Sequence, residues 1–198
     1  QSCVSLSGFE EGRSLKEEES VIKLHLNSMQ VNESSSSSDN IFGTEFFPNF
    51  EIGYKYGFTD DFDLGIKANT FGNMGLNTKY QIVGDQKSSF AMAIGTEFNA
   101  FAAFRLFNAH LPLYMSYYPK DNVTINIAPR YVIQFGSGLS NDVIRAIHYA
   151  GGNAGIMFGR KHKFGLDLGY HQLFGPDESV GIINIGIGGK FLITKGKK

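Results

Sequence analysis

The sequence has one cysteine, Cys3, and no tryptophan. A single cysteine excludes a disulfide within the chain and any metal site built on several cysteines. The net charge of −1 lacks the basic excess that is typical of nucleic-acid binding. No apolar run reaches the length of about 18 residues that a transmembrane helix needs. If the chain crosses a bilayer, it must do so as a closed β-barrel, because only helices and barrels satisfy every backbone group in lipid.

The dominant pattern from Ser20 onward is an alternation of apolar and polar residues. In the segment that follows Phe47, for example, Ile52 and Tyr54 fall on one face, whereas Gly53 and Lys55 fall on the other. A period of two predicts β-strands with two chemically different faces. Ten segments show it: Val21–Met29, Phe47–Phe58, Phe62–Asn69, Met74–Val83, Phe90–Phe98, His110–Tyr118, Val123–Gln134, His148–Phe158, Phe164–His171 and Ile183–Phe191.

The connections between these segments alternate in length. Short turns are predicted at 59–61, 84–87, 119–122 and 159–163. On the other side the connections at 32–46, 99–109 and 136–145 are longer, while those at 72–73 and 173–178 are not. Short turns on one side and longer loops on the other are typical of membrane barrels, as is an even strand number. The sequence therefore predicts an all-β, closed, antiparallel up-and-down transmembrane barrel of about ten strands over residues 20–194, preceded by a leader at 1–19.

The two faces differ in residue size as well as in polarity. The apolar rows are bulky and would overfill the narrow lumen of a small barrel, so we expect them to face lipid. The polar rows carry the charges of the strands and would form a lumen network that leaves no wide pore. The predicted network consists of Lys23, His25, Glu51, Lys55, Asp63, Lys67, Lys79, Glu97, Arg130, Asp167, His171 and Lys190.

The N-terminal residues carry a second signal. A lone cysteine after a small residue, as in Ser2-Cys3, resembles the end of a bacterial lipoprotein signal peptide, so a covalent lipid on Cys3 is predicted. Residues 9–19 are highly charged and predict a tether or a short plug-like leader that is not part of the core.

Three stretches resemble small outer-membrane β-barrel proteins of the Bacteroidota type: 2–9, the hairpin at 57–65, and 111–119. The resemblance implies a fold and a location in the bacterial outer membrane. With ten strands, both termini are then expected to face the periplasm. It implies no activity.

No motif singles out an enzyme, a metal site or a cofactor, and apart from the lipid none is expected. The favoured interpretation is a structural or accessory subunit of an envelope complex, in contact with outer-membrane lipid and other outer-membrane proteins. Three alternatives stay open: a narrow channel for small solutes or ions, a rim-located hydrolase, and a soluble periplasmic barrel that binds an apolar ligand. The hydrolase would draw on candidates in or near loops: His110, His148, His171, Asp142, Asp177 and Glu178.

Overall fold

The computed structural model describes residues 8–33, 47–101, 106–136, 146–174 and 179–195. In this part of the chain ten β-strands form one closed barrel. The strands are β1 (Ser20–Glu33), β2 (Phe47–Thr59), β3 (Phe62–Asn69), β4 (Met74–Val83), β5 (Phe90–Phe101), β6 (Leu106–Lys120), β7 (Val123–Gly136), β8 (Ile147–Phe158), β9 (His162–Phe174) and β10 (Ser179–Thr194).

Every strand pairs antiparallel with its neighbours in sequence, and β1 pairs with β10 to close the sheet. Closure removes the unpaired strand edges that an open sheet would leave. The predicted fold class, a closed antiparallel barrel of ten strands, is confirmed. Within the described residues, no helix is long and apolar enough to cross a membrane.

The strands extend beyond several predicted limits. The connection predicted at 99–109 is wrong, because β5 continues to Phe101 and β6 begins at Leu106. The register pairs Asn99 with Asn108, and both side chains are buried in the lumen. Two further limits are corrected in the same way: the turn predicted at 159–163 ends before β9 begins at His162, and β1 continues through Glu33.

We call the barrel end at which β2 joins β3, β4 joins β5, β6 joins β7 and β8 joins β9 the turn end, and the other, which holds the short turn at 70–73, the opposite end. The turn end includes 60–61, 84–89, 121–122 and 159–161, and β1 begins there. Asp85 stabilises one of these turns, because its carboxylate accepts hydrogen bonds from the backbone N–H groups of Lys87 and Ser88 at 2.7 and 2.8 Å. These bonds hold the pKa of Asp85 below its usual range. Of the longer connections predicted at 32–46 and 136–145, residues 34–46 and 137–145 lie outside the described residues.

The outer surface of the barrel is an apolar band. Its large side chains are exposed, with Ile66 at 55%, Leu168 at 56% and Ile185 at 54%. Away from the strand ends, the outward rows of the described strands hold no lysine, arginine, aspartate or glutamate. Aromatic clusters lie near both ends of this surface. Tyr56, Phe58 and Phe62 are in contact at the turn end, and Phe98, Phe107 and Phe135 towards the opposite end.

Candidate functional site: the leader-filled lumen

The structure places all twelve residues of the predicted lumen network on the inward rows. Eight are buried: His25, Lys55, Asp63, Lys79, Glu97, Arg130, Asp167 and His171. Four are half-buried: Lys23, Glu51, Lys67 and Lys190. The alternation of each strand positions them, since every second residue points into the barrel. The structure also brings a further participant into the lumen, which is the chain that precedes β1.

Residues 8–19, which we call the leader, enter the lumen from the turn end. Phe9 and Leu15 are buried, at 5% and 3% exposed, and the ring of Phe9 stacks on His25 with 5.5 Å between ring centroids. Of the two roles predicted for this segment, the structure agrees with the plug-like leader, and only the expectation that it is not part of the core is wrong. The physical reason is that this interior is polar, so a charged segment can pack inside it where an ordinary apolar core would reject it.

Glu10 is the first ionic anchor of the leader. Its carboxylate pairs with Lys55 at 2.7 Å and with Lys79 at 3.3 Å, and it also contacts Lys23. Lys79 is itself fully enclosed and pairs with Asp63 at 2.9 Å. Three strands, β1, β2 and β4, thus direct lysines at one leader carboxylate. Close pairing of this kind compensates the cost of removing the charges from water.

Glu11 is the second anchor, and it faces the other side of the barrel. Its two carboxylate oxygens lie 2.5 Å from Lys163 on β9 and 3.0 Å from Lys190 on β10. Lys163 was missing from the predicted network because the sequence pattern assigned it to a turn. Its place as the second residue of β9, one position before the alternation becomes clear at Phe164, is the signal that could have identified it.

The lumen wall also binds the backbone of the leader. Backbone N–H groups of Gly12, Ser14 and Leu15 donate to wall side chains at 2.7, 2.6 and 2.8 Å. Their acceptors are Ser116 Oγ, Gln81 Oε1 and Asp63 Oδ1, respectively. In return, Lys79 Nζ donates to the carbonyl oxygens of Glu11 and Arg13 at 3.2 and 2.8 Å.

Among the described residues, backbone-to-backbone hydrogen bonds between the leader and the wall occur at the last leader residues, while the side chains of Arg13 and Ser14 donate to backbone carbonyl oxygens of the turns. The N–H of Glu18 donates to the Gly57 carbonyl at 2.8 Å, and the Gly57 N–H donates to the Glu19 carbonyl at 2.9 Å. From Gly8 to Leu15 the leader is therefore an extended peptide held mainly by side chains of the tube around it.

A second ionic group lies further into the barrel. Lys67 contacts Glu97 and lies 3.4 Å from Glu51. His110 Nδ1 lies 3.6 Å from Glu97, and Asn99 donates to Glu97 at 2.8 Å. A cavity of about 30 Å³ separates this group from Glu10. That volume holds about two water molecules, so it does not amount to a solute path.

Apolar side chains occupy the lumen towards the opposite end. Met29, Val132, Tyr149 and Ile182 are buried together, with Leu173 packed against them. Sequence reasoning missed this apolar layer, because these positions continue rows that are polar elsewhere along their strands. From the turn end inward, the lumen thus holds the leader, then the ionic group, then an apolar layer.

The hydrolase candidates do not converge in the described residues. His110 and His171 are enclosed in the lumen, at 1% and 0% exposed. His148 faces outward, where its Nδ1 lies 2.7 Å from the Tyr131 hydroxyl. Asp142, Asp177 and Glu178 lie outside the described residues, as does Cys3 with its predicted lipid. Among the residues that are described, no cluster of three or more His, Cys, Asp or Glu could hold a metal ion.

This geometry can bind and neutralise an acidic extended peptide, but among the described residues it brings together no nucleophile and base. The two glutamates that the leader supplies contact five wall lysines at the turn end, and Asp63 on the wall adds a third carboxylate beside Lys79. In the described residues the lumen is a site that the leader fills.

Comparisons with known proteins find similar folds but no relative in sequence. No protein-family model matches the chain, and neither does any curated protein. Among solved structures, the outer membrane protein Ail of Yersinia pestis is 17% identical, covering 88% of this chain and 99% of its own, with a TM-score of 0.35. The NanC porin is 11% identical, with coverages of 85% and 98% and a TM-score of 0.48.

Neisserial surface protein A is 12% identical, with coverages of 87% and 96% and a TM-score of 0.44. The Bacteroidota type and the lipoprotein-like N-terminus stay predictions. What the structure establishes for this chain is a closed, ten-stranded antiparallel β-barrel whose own N-terminal segment lies in the lumen.

Proposed function

We propose that this protein is an outer-membrane β-barrel with a closed lumen, and that it serves as a structural or accessory subunit of an envelope complex. The observation that carries the proposal is the leader, which occupies the lumen through Glu10 and Glu11 and pairs with five wall lysines. A barrel filled in this way offers its outer surface and its ends to partners, rather than a path for solutes.

The membrane location is supported by the outer apolar band. A charge facing lipid at the bilayer midplane costs about 2–4 kcal/mol, which accounts for charged residues being confined to the lumen rows. Aromatic side chains near both barrel ends match the two membrane–water interfaces, where such rings are enriched. A soluble barrel would instead expose this whole apolar surface to water.

The connections support an orientation of the barrel in the membrane. Outer-membrane barrels keep short turns on the periplasmic side, so the turn end and both ends of the barrel sequence would face the periplasm. The leader would then enter the lumen from the periplasmic side. The predicted lipid on Cys3 would add an anchor to this arrangement.

The alternative function, a narrow channel, can be tested by measuring ion conductance. We expect the purified full-length protein to be silent in single-channel recordings in planar bilayers, because the leader, the ionic group and the apolar layer fill the described lumen in succession. A general porin added afterwards to the same bilayer controls for membrane competence. Discrete conductance steps from the protein alone would contradict the closed lumen.

An accessory role requires a partner in the membrane. Strand β8 supports this role, because its outward residues Ala150, Gly152 and Ala154 are small. They leave a shallow groove on the outer surface beside bulky side chains such as Leu168. We expect a second outer-membrane protein to co-migrate in mild detergent and Ala154→Phe to weaken that association, because the larger ring would prevent close approach. Phe158→Leu, on the same face of β8, is the matched control. A strictly monomeric native protein would count against the accessory role.

A further inference from the structure

We propose that the lysine-lined turn end of the lumen is a binding site for an extended acidic peptide, and that the leader is its exchangeable resident ligand. The partner is thus a segment with two adjacent carboxylates, supplied by another chain. This inference deepens the proposed accessory role by naming the chemistry of a partner. It rests on the proposed function only for the side from which the partner arrives.

The first argument is the separation of charge between wall and occupant. Lys23, Lys55, Lys163 and Lys190 receive carboxylates from the leader, while Lys79 is shared between Asp63 on the wall and Glu10. Without the leader, these lysines would crowd one end of a narrow tube. A wall of this kind requires anionic partners, since several enclosed ammonium groups without them are costly.

The second argument is that the wall binds peptide backbone as well as carboxylates. Ser116, Gln81 and Asp63 accept N–H groups of the occupant, and Lys79 donates to two of its carbonyl oxygens. A small anion would use none of these backbone contacts. Together they favour an extended peptide over phosphate or a free dicarboxylate.

The third argument concerns exchange. Glu10 and Glu11 contact side chains of the wall, and among the described residues backbone-to-backbone hydrogen bonds between leader and wall are confined to Glu18, Glu19 and Gly57. Residues 8–15 can therefore leave the tube without breaking the strand ladder that closes the barrel. The apolar layer at Met29, Val132, Tyr149 and Ile182 lies beyond the ionic group, so an incoming peptide would find a blind pocket rather than a channel.

The first experiment follows exchange in the full chain. Ser14, which is 4% exposed, is replaced by cysteine in a Cys3→Ala background, and the protein is folded in detergent. Its labelling by a bulky maleimide should be slow. A synthetic peptide with the sequence of residues 8–19 should accelerate labelling by about threefold at millimolar concentration, which is the effective concentration typical of a tethered ligand.

The matched control peptide has glutamine in place of the glutamates at positions 10 and 11. It should leave the labelling rate unchanged, because it lacks the carboxylates that the lysines bind. If neither peptide accelerates labelling, or if both do so equally, the proposal is overturned. Inorganic phosphate in place of the peptide tests for a simple anion site, and full acceleration by phosphate would also overturn the proposal.

The second experiment removes the resident ligand without shortening the chain. In Glu10→Lys/Glu11→Lys the leader is repelled by the lumen lysines, so the fluorescein-labelled peptide of residues 8–19 should bind, as measured by anisotropy. The glutamine peptide should bind about a hundredfold more weakly, because the two carboxylates that make the charge-assisted contacts are lost. Glu17→Lys/Glu18→Lys makes the same charge change at exposed leader positions and should bind no peptide.

These outcomes are distinguishable from a failure of the proposed function. Peptide exchange is read on the folded barrel in detergent, whereas the membrane location and closed lumen are read by carbonate extraction and bilayer recording. A barrel that is integral and silent but exchanges no peptide would overturn only the inference. If Glu10→Lys/Glu11→Lys fails to fold, the labelling experiment decides by itself.

Discussion

Replacing Lys79 with methionine is expected to lower the free energy of unfolding of the barrel by about 3–5 kcal/mol, the usual cost of removing one partner from a buried ion pair. Lys79 is 1% exposed and lies 2.9 Å from Asp63, which is itself fully buried. Methionine fills a similar volume but leaves the Asp63 carboxylate without this cation. It also removes two hydrogen bonds to leader carbonyl oxygens and one contact with Glu10.

The measurement is guanidinium unfolding in detergent followed by far-UV circular dichroism, since the chain has no tryptophan to report by fluorescence. Lys87→Met, in an exposed turn position, is the matched control and should change stability by less than about 0.5 kcal/mol. Asp63→Asn combined with Lys79→Met should be less destabilising than Lys79→Met alone, because no unpaired charge is left. Equal stability of Lys79→Met and the wild type would contradict the ionic account of the lumen.

The strand framework could be predicted from sequence because its signal is local. Alternation along one strand, as in Ile52-Gly53-Tyr54-Lys55, reports the two faces without any knowledge of the partner strand. Antiparallel neighbours joined by short turns then follow in chain order. The inward position of residues such as Lys55 and Asp63 was available from the same local pattern.

The signal failed where the outward residues are small. At the ends of β5 and β6 the outward positions are Ala100 and Ala109, while Asn99 and Asn108 point inward. Alanine and asparagine differ little in hydropathy, so the alternation is weak there. The sequence pattern therefore predicted a connection where the end of β5 pairs with the start of β6. Met29 and Val132 obscure the pattern for a different reason. They are apolar residues on inward rows that are otherwise polar, so they interrupt the alternation of the sequence although the strand continues.

The position of the leader could not be predicted because its contacts join residues far apart in sequence. Glu11 and Lys190 are separated by 179 positions, and neither carries a pattern that points to the other. Charged segments usually lie in solvent, and that rule fails here because the interior is polar. The charges predicted for the lumen wall could have indicated the position of the leader. The wall has more basic than acidic residues, so some of its anionic partners must come from elsewhere in the chain.

The largest expected effect of the membrane environment concerns Leu168, in the middle of β9 and 56% exposed on the apolar band. Leu168→Arg should destabilise the barrel in phospholipid vesicles by about 2–4 kcal/mol, because the guanidinium would face acyl chains at the midplane. Guanidinium titration monitored by heat-modifiable gel migration measures the change. Phe158→Arg, at the turn end of β8 and 52% exposed, is the depth control and should cost at most about 1 kcal/mol.

The two substitutions separate a membrane barrel from a soluble one. If water surrounded the barrel, Leu168→Arg would replace an exposed apolar side chain with a solvated charge, and stability would change by no more than about 0.5 kcal/mol at either depth. The outward row would then have to be explained by a bound apolar ligand or by a covering partner. A cost that rises from the strand end towards its middle is expected only when the surrounding medium is itself apolar there, because lipid penalises charge according to depth whereas water does not.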